Sequence, residues 1–550
     1  MSSPLNVLWK KEEQSNLGYI DIFAVVGHEV NLAEHDKAVE QSGPNGKNNV
    51  NAAEHQAKGK QLFEDGDYIA AIRELNNSLA LYTADSPELG SVYAERSKCF
   101  LQLDLPQKAL IDIELAKKSS YTHELTARED KCKYLLEDEE FKAKQFTGHE
   151  PTLSFNEHET FAGVAGCLEF RKSDDFGYHV VTTRDLKIGQ TVLVEPSFAI
   201  TPALSSASRY SRCGGCYKEL ENFVPSKISS FCVYCNGNCI KNSLHEEMSM
   251  STLKETTELV EPILQKIVSA FPDIDVLVKT VESLQKGEDV TDLTSTVQKQ
   301  ACSLFRLINK HEISTDQQFK LRPAADTFVT VMKKPHFGRI FNTEERQRFL
   351  KHLILHLHNV TEYAIDLYEL QQEDIDEPIR GHTFVHYATA IYPFGGYIKH
   401  SCVPNVIWFS VDDRLIAKVI RPIEKGEQIL RSYHPGTHSF QLDNDLEEKH
   451  VEIRYKFKCN CCRCLDDEPS SPPTKLHVDQ DPLWVEVAAV IDMTVKDFWA
   501  LSSQAIEQYE KKAIELVAKY NSVYPNHDVL FMRDNLMLIW ILLAQTQKSR

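Results

Sequence analysis

The sequence predicts an α+β protein that is built from several domains. Its 550 residues are enough for roughly three or four domains of ordinary size. Helical periodicity begins near Ala52, whereas short strand-like runs separated by turn residues begin near Tyr178 and return after Gly381. Two groups of cysteines lie within and just after the strand-rich part. We therefore expect a helical N-terminal part, a β-rich centre with metal sites and a helical C-terminal segment.

The composition is that of a soluble globular protein, with 42% hydrophobic and 26% charged residues. The net charge of −19 argues against a general nucleic-acid-binding surface, so no direct nucleic-acid partner is expected. Residues 1–14 lack the apolar core of a signal peptide, and no stretch approaches the ~20 apolar residues of a membrane span. We therefore expect a monomer without membrane contact, in the cytoplasm, the nucleus or both. The 14 cysteines should then be mainly metal ligands rather than disulfides.

The N-terminal part begins with a weakly ordered segment, residues 1–50, whose last ten residues are polar and turn-forming. Residues 52–145 follow with a helical pattern in which Gly59, Ala71 and Ala109 are small enough to let paired helices approach closely. The separation of Ala71 and Ala109 is a tetratricopeptide period plus a short insertion, and the segment resembles tetratricopeptide repeats. A generic helical hairpin is the alternative. Repeats of this kind would bind a peptide or protein partner on their concave face.

Cysteines near the end of the strand-rich part have the spacing of zinc ligands. Cys459, Cys461 and Cys464 form a C-x-C-x-x-C run, which leaves one position of a tetrahedral zinc site to be filled. Cys402 is the candidate for that fourth ligand. Spaced clusters in a chain without a secretory signal indicate metal sites, and the alternative is a set of buried free thiols.

Three blocks around these cysteines carry a family resemblance. They are KHSCVPN at 399–405, GEQILRSY at 426–433 and YKFKCNCCRC at 455–464. They resemble the SET domain of protein-lysine methyltransferases, and in particular the SET-and-MYND family and its subgroup that contains tetratricopeptide repeats. The resemblance implies that two segments of the SET domain cross as a pseudoknot, that S-adenosyl-L-methionine donates the methyl group, and that a protein lysine accepts it. It also implies zinc as a structural metal, with the loop cysteine Cys402 as the fourth ligand.

The resemblance implies the following division of the chain. The weakly ordered N-terminus and the repeats are followed by the N-terminal part of the SET domain (160–205), a MYND-type zinc finger (213–250), a helical SET insertion (251–380), the SET core (381–440), a post-SET segment (450–465) and a C-terminal helical segment (481–550).

The finger is expected to be degenerate. A full finger of this family holds two zincs with seven cysteines and one histidine, and one complete site matches Cys213, Cys216, Cys235 and Cys239. The second site retains at best Cys232 and His245. For His245, the alternative is an exposed helix histidine.

The resemblance also implies roles for individual residues. The hydroxyl of Tyr433 would orient the lysine amine and the methyl group, which makes Tyr433 the catalytic candidate; a core aromatic is the alternative. The residues expected at the methyl donor are Gly177, His179, Asn359, Lys399, His400, Tyr455 and Phe457. For Asn359 the alternative is an ordinary position on a helix surface.

Two of these positions depart from the family. His179 stands where the family has the second glycine of a G-x-G turn, and Lys399 stands where it has an asparagine. Lysine is only a donor and is charged, so it would repel the donor's sulfonium but attract its carboxylate. Two candidate functions therefore remain: an active protein-lysine methyltransferase with a recruiting helical arm, and a scaffold in which the SET and zinc modules survive as folded platforms.

Overall fold

The computed structural model describes most of the chain from residue 47 onward. The described residues are 47–121, 125–138, 150–173, 176–203, 210, 212–218, 220, 222–227, 230, 232–242, 259–271, 273–286, 288, 290, 292–307, 317–370, 384–433, 452, 457–465, 480–494, 497–498, 501–523 and 527–544. They fall into two compact units. Unit 1 comprises the described residues within 198–201 and 249–365, and unit 2 those within 44–197, 202–248 and 366–550.

The N-terminal part of unit 2 is a helical arm. Its helices are α1 (Asn49–Glu64), α2 (Tyr68–Leu81), α3 (Leu89–Gln102), α4 (Pro106–Lys118) and α5 (Thr126–Glu137). The first helix begins within the predicted linker because the Asn48 side chain caps it, accepting from the backbone N–H groups of Val50 and Asn51. A turn at Gly66 follows α1, and Asp67 caps α2. Ala71 is fully buried where α1 and α2 pack together.

The next elements of the chain are mainly short strands. They are β1 (Leu168–Ser173), β2 (Gly177–Thr182), β3 (Thr191–Pro196), β4 (Ala199–Pro202), β5 (Val224–Pro225) and β6 (Val233–Tyr234), followed by helix α6 (Gly237–Asn242). Strands β1 and β2 form an antiparallel hairpin, and β5 pairs with β6.

Unit 1 is helical over most of its described length. It contains α7 (Val260–Ala270), α8 (Ile274–Gln285), α9 (Thr296–Arg306), α10 (Gln317–Met332), α11 (Pro335–Ile340) and α12 (Glu344–Val360). Its core is formed by buried aliphatic side chains such as Leu264, Leu304 and Leu353. A capping box at Ser295 starts α9, and Thr343 caps α12.

The remaining strands complete the β-rich part. They are β7 (Ile365–Leu370), β8 (Phe384–Ile391), β9 (Lys399–His400), β10 (Val406–Val411), β11 (Arg414–Val419) and β12 (Leu430–Arg431). Strand β11 lies between β10 and β3 in an antiparallel sheet. Strands β9 and β12 pair in parallel, which brings the 399–405 and 426–433 blocks side by side.

Asn405 fixes the crossing of these two blocks. Its side-chain amide donates to the Gln428 carbonyl at 2.8 Å, and its side-chain oxygen accepts from the Leu430 N–H at 2.8 Å. Its backbone N–H also donates to the Leu430 carbonyl at 3.1 Å. Because Asn405 is buried, each of these groups needs a partner, and the register of the crossing supplies one for each.

Helix α13 (Cys462–Leu465) contains two of the last cysteines. Helices α14 (Pro482–Ile491), α15 (Ser503–Lys519) and α16 (His527–Ala544) follow and pack against the β10–β11–β3 sheet. Apolar residues of α16, among them Leu536 and Trp540, share a core with Phe409 and Ile416 of the sheet. The apolar stretch 536–544 is therefore part of a buried helix. Among the described residues, no helix combines the length and the apolar character that crossing a bilayer requires.

The finger region joins the helical arm to the β-rich part within unit 2. On the arm side, the Asn222 side chain donates to Asp112 Oδ1 at 2.6 Å, and the Arg96 guanidinium lies 4.6 Å from the Phe223 ring centroid. On the other side, the Arg212 guanidinium bonds Glu369 at 2.6 Å and Asp412 at 3.1 Å. The region therefore has packed, charged contacts with both neighbours.

Candidate functional site

Four cysteines of the finger region lie together. The Sγ atoms of Cys213, Cys216, Cys235 and Cys239 are all within 4.8 Å of one another. The Cys216–Cys235 separation is 3.8 Å and the Cys235–Cys239 separation is 3.2 Å. The β5–β6 hairpin and the start of α6 carry the last two, and the Asn236 side chain accepts from the Cys239 backbone N–H at 3.1 Å. We call this group the finger cluster.

The finger cluster favours a thiolate. A hydrogen bond from Cys216 and backbone N–H groups of Gly215 and Cys235 lower the pKa of the Cys213 thiol to about 4. Both backbone N–H groups lie 3.4 Å from the Cys213 sulfur. Thiolates are the form in which cysteine binds metal, so the surroundings of Cys213 suit a metal ligand.

A second group of four cysteines lies beside the crossing. The Sγ atoms of Cys402, Cys459, Cys461 and Cys464 also fall within 4.8 Å of one another. Cys402 lies 3.9 Å from Cys459 and 3.6 Å from Cys464, and Cys461 lies 3.7 Å from Cys464. We call this group the post-SET cluster. It attaches the 457–465 segment to the loop that follows β9.

Both clusters fit a tetrahedral zinc ion. Zinc–sulfur bonds of about 2.3 Å place the sulfurs of a tetrahedral site about 3.8 Å apart. Most of the sulfur–sulfur distances given above lie close to that value. Cys232 is buried beside the finger cluster, against Tyr234, but is not one of its four sulfurs. His245 lies outside the described residues.

His400 connects the post-SET cluster to Tyr433. The backbone N–H of Tyr433 donates to His400 Nδ1 at 2.9 Å, so the imidazole proton is on Nε2. That Nε2 lies 3.3 Å from Cys402 Sγ and can donate to the sulfur. One imidazole therefore contacts both a cysteine of the cluster and the backbone of the catalytic candidate.

Tyr433 is held on several sides. Its hydroxyl donates to the Ile398 carbonyl at 3.2 Å, and its side chain is buried, with 9% exposure. Its ring centroid lies 5.3 Å from His400 and 6.3 Å from Phe457, and the Arg431 guanidinium lies 4.6 Å from it. The ring is thus fixed by packing, and its hydroxyl points at the backbone just before Lys399.

The expected donor-binding residues occupy different parts of the structure. Lys399 and His400 form β9 and are half-buried, while Phe457 is 36% exposed beside His400 and Tyr433. Asn359 belongs to unit 1, where it lies partly buried in the last turn of α12. Tyr455 lies outside the described residues.

The β1–β2 hairpin carries Gly177 and His179. Gly177 has φ +59°, a backbone conformation that glycine adopts without strain. The His179 Nδ1 donates to the Gly177 carbonyl at 3.1 Å, and the side chain is buried. The histidine that replaces a glycine therefore folds back onto its own strand.

A buried carboxylate that the sequence analysis did not single out lies close to this site. Glu195, at 1% exposure, accepts from the backbone N–H groups of Phe394 and Gly395. Its only signal in the sequence is an acidic residue at the end of an apolar strand. Burial raises the pKa of Glu195 to about 8, although the two backbone hydrogen bonds oppose that shift.

The raised pKa of Glu195 predicts a specific pH dependence of stability. The folded state binds the Glu195 proton more tightly than the unfolded chain, whose glutamate pKa is near 4.5. The stability that this proton contributes is complete below about pH 4.5 and is lost as the pH rises towards about 8. We expect the Tm of wild type minus that of Glu195→Gln to fall steadily across that window, as measured by calorimetry. A Tm difference that grows with pH would contradict the assignment.

Comparison with known proteins agrees with this geometry. The family model of the SET domain matches residues 177–434. A SET and MYND domain-containing protein of Dictyostelium discoideum is 24% identical over 340 residues, which cover 55% of this chain and 83% of that protein. Histone-lysine N-methyltransferase ASHR1 of Arabidopsis thaliana is 22% identical over 305 residues, covering 54% of this chain and 55% of that protein. N-lysine methyltransferase SMYD2 of Gallus gallus is 22% identical over 357 residues, covering 63% and 69%.

The matched region contains the crossing of β9 and β12, His400 and Tyr433, and it encloses the finger cluster. The post-SET cluster joins that region to the segment that follows it. The domain match and the relatives together show that the chain contains a SET domain and is similar to SET-and-MYND proteins and lysine methyltransferases.

Proposed function

We propose that the protein transfers a methyl group from S-adenosyl-L-methionine to the side-chain amine of a lysine in a protein substrate. The observation that carries the proposal is the placement of Tyr433. Its ring packs against His400 and Phe457, and its hydroxyl donates to the Ile398 carbonyl at the crossing of the two blocks. The names of the relatives, which include a histone-lysine and an N-lysine methyltransferase, support the same reaction class.

The surroundings of Tyr433 fit the methyl donor. When bound, S-adenosyl-L-methionine supplies an electrophilic methyl group. Phe457 is a partly exposed aromatic side chain at the edge of the site, as stacking on a purine requires. The backbone near Gly177 and the side chains of Lys399 and His400 are the other groups that we propose to hold the donor. Asn359 and Tyr455 remain candidates on the family resemblance alone.

The substrate lysine must lose its proton before it can act as a nucleophile. Its ordinary pKa of ~10.4 keeps it charged at neutral pH. The aromatic side chains around Tyr433 leave little room for water that could solvate an ammonium. Poor solvation of the charged form lowers the pKa of the substrate lysine and favours the neutral amine. The Tyr433 oxygen can accept a hydrogen bond from that amine while its own O–H continues to donate to the Ile398 carbonyl. Tyr433 then acts mainly by orienting the amine.

Removing this hydroxyl should slow methyl transfer without weakening binding. We expect Tyr433→Phe to lower kcat about 10²-fold, because a hydrogen bond to the reacting amine is lost in the transition state. Donor affinity, measured by calorimetric titration, should stay unchanged because the ring remains packed against His400 and Phe457. A kcat equal to that of wild type would remove the proposed role of Tyr433.

We propose zinc in both cysteine clusters. The four sulfurs of each cluster form a complete set of thiolate ligands, which is typical of structural rather than catalytic zinc sites. In the post-SET cluster the metal would hold the 457–465 segment, and with it Phe457, against the loop after β9.

We propose that the helical arm also recruits a protein partner, as repeats of this kind do. Part of its surface already contacts the finger, through Tyr93, Arg96 and Asp112. A partner would therefore use the faces of the arm that the finger leaves exposed.

A scaffold without methyl transfer is the second candidate, and Lys399 is the observation that favours it. A lysine ammonium about 4 Å from a charged group of the donor contributes about 4 kcal/mol, attractive or repulsive, at an effective dielectric near 20. In an active enzyme the ammonium would face the donor carboxylate, at a cost in desolvation that offsets part of the attraction. We then expect Lys399→Asn to alter donor affinity only modestly, because asparagine restores the contact that the family makes at this position. Calorimetric titration of wild type and Lys399→Asn with S-adenosyl-L-methionine distinguishes the two functions. If wild type fails to bind the donor and the variant binds it, the protein is a scaffold.

A further inference from the structure

The Ile398 carbonyl, which accepts the hydrogen bond from the Tyr433 hydroxyl, follows a short turn. A 3-10 turn, Gly395–Tyr397, follows β8, and Ile398 comes directly after it. The Ile398 N–H donates back to the Gly395 carbonyl at 3.2 Å, which fixes the peptide before Ile398. The position of the Ile398 carbonyl therefore depends on where the turn begins.

Glu195 fixes the start of this turn. One carboxyl oxygen accepts from the Phe394 N–H at 2.8 Å, and the other accepts from the Gly395 N–H at 2.7 Å. These two N–H groups belong to consecutive peptide units, so the carboxyl holds both units, one with each oxygen. Glu195 reaches them from β3, about 200 residues earlier in the sequence. No other side chain is needed to satisfy these donors.

Neighbouring side chains leave little space around the turn. A methyl group on Gly395 would come within 2.7 Å of the Leu415 side chain and 3.2 Å of the Glu195 carboxyl. Phe394 and Tyr397 are buried, and both pack against Phe170. The turn therefore has little room to shift while Glu195 holds it.

From these contacts we infer that Glu195 is a positioning residue for methyl transfer, because it holds the turn whose end places the Ile398 carbonyl against the Tyr433 hydroxyl. This inference rests on the proposed function of Tyr433. Glu195 contacts neither the reacting amine nor the donor and acts only through the 394–398 backbone. When ionised, its carboxyl supplies two acceptors to two donors, which an amide cannot do, since the amide nitrogen of glutamine would face a backbone N–H.

The test uses the full chain and compares Glu195→Gln with two further variants. Gly395→Ala displaces the same turn while Glu195 stays intact. Glu369→Gln is the matched control, because Glu369 is also a buried carboxylate of unit 2 but bonds Arg212 instead of the turn. For Glu195→Gln and Gly395→Ala we expect kcat to fall about 10- to 100-fold with little change in KM, as for a small displacement of a reacting group. Glu369→Gln should retain the wild-type kcat per folded molecule.

A readout without catalysis separates this inference from the proposed function. A 3-fluorotyrosine incorporated at position 433 reports the surroundings of the hydroxyl through its ¹⁹F resonance. We expect Glu195→Gln and Gly395→Ala to shift that resonance and Glu369→Gln to leave it in place. An unshifted resonance in folded Glu195→Gln, or an equal shift in Glu369→Gln, would overturn the inference. Should Glu195→Gln not fold, Gly395→Ala gives the same decision. Absence of methyl transfer in wild type with the expected ¹⁹F shifts would refute the proposed function while the positioning of Tyr433 stands.

Discussion

Replacing Cys461 by serine is expected to remove one of two zinc ions per chain, one for each cysteine cluster. A structural zinc held by thiolates contributes about 10–16 kcal/mol of apparent binding free energy, and its loss is a loss of folding free energy. The 457–465 segment should therefore detach from the loop after β9. His400 would then lose its contact with the anchored Cys402, and Phe457 would leave Tyr433. Metal analysis and hydrogen exchange of residues 399–405 and 457–465 measure both effects.

Two controls accompany the Cys461 experiment. Cys302→Ala removes a buried thiol of α9 that belongs to neither cluster. Both zinc ions, and the protection of residues 399–405 and 457–465 against hydrogen exchange, should therefore be retained. Cys213→Ser should remove the other zinc and leave residues 399–405 protected. The account of the post-SET cluster would be wrong if Cys461→Ser still held two zinc ions, or still bound the methyl donor as wild type does.

Replacing Asp112 by alanine is expected to destabilise the helical arm by about 3–5 kcal/mol, because it leaves a buried guanidinium without its charged partner. Arg96 and Asp112 are 1% and 0% exposed and are joined by two hydrogen bonds of 2.8 Å. Amide exchange in α3 and α4 should accelerate by about 10²- to 4 × 10³-fold, since each 1.4 kcal/mol is a factor of ten. Exchange near Asn222 should rise as well, because its side chain also bonds Asp112.

A surface pair of the same arm provides the matched control. Glu129 pairs with Lys117 and Lys133 on the exposed side, so Glu129→Ala should cost less than about 1 kcal/mol. The double replacement Arg96→Met with Asp112→Leu should recover part of the loss, because no unpaired charge remains in the interior. Equal exchange rates in Asp112→Ala and Glu129→Ala would show that the buried pair does not hold the arm.

The sequence revealed those parts of the fold whose signal is local. The strand-like run expected near Tyr178 is strand β2, Gly177–Thr182, and strands β9 to β12 lie in the part after Gly381 where such runs were expected to return. The cysteines carried the strongest signal, because their spacing and the family resemblance grouped them into the two sets of four that the structure brings together. Hydrophobic patterning likewise indicated the C-terminal helices that begin after Asp481.

Structural features that depend on contacts between residues far apart in the chain gave no local sequence signal. Strand β1 has few apolar residues among its charged ones, so its own sequence gives a weak strand signal. Its extended conformation depends on its pairing with β2. In the sequence, Glu195 is an ordinary acidic residue at the end of a strand. Its role follows only from the fold, which places the Phe394 and Gly395 N–H groups beside it. The packing of Phe223 on Arg96 joins segments more than 100 residues apart, so no periodicity in either segment predicted it. The sequence therefore indicated a recruiting arm but not its attachment to the finger.

The most direct test of the proposed activity follows a labelled methyl group. The full chain is incubated with S-adenosyl-L-methionine that carries a deuterated methyl group and with an array of lysine-containing peptides and proteins, and mass spectrometry locates the label. We predict that wild type places deuterated methyl groups on lysine side-chain amines and that Tyr433→Phe, at equal donor occupancy, places about 10²-fold fewer. A wild type that binds the donor but labels no lysine on any substrate would contradict the account.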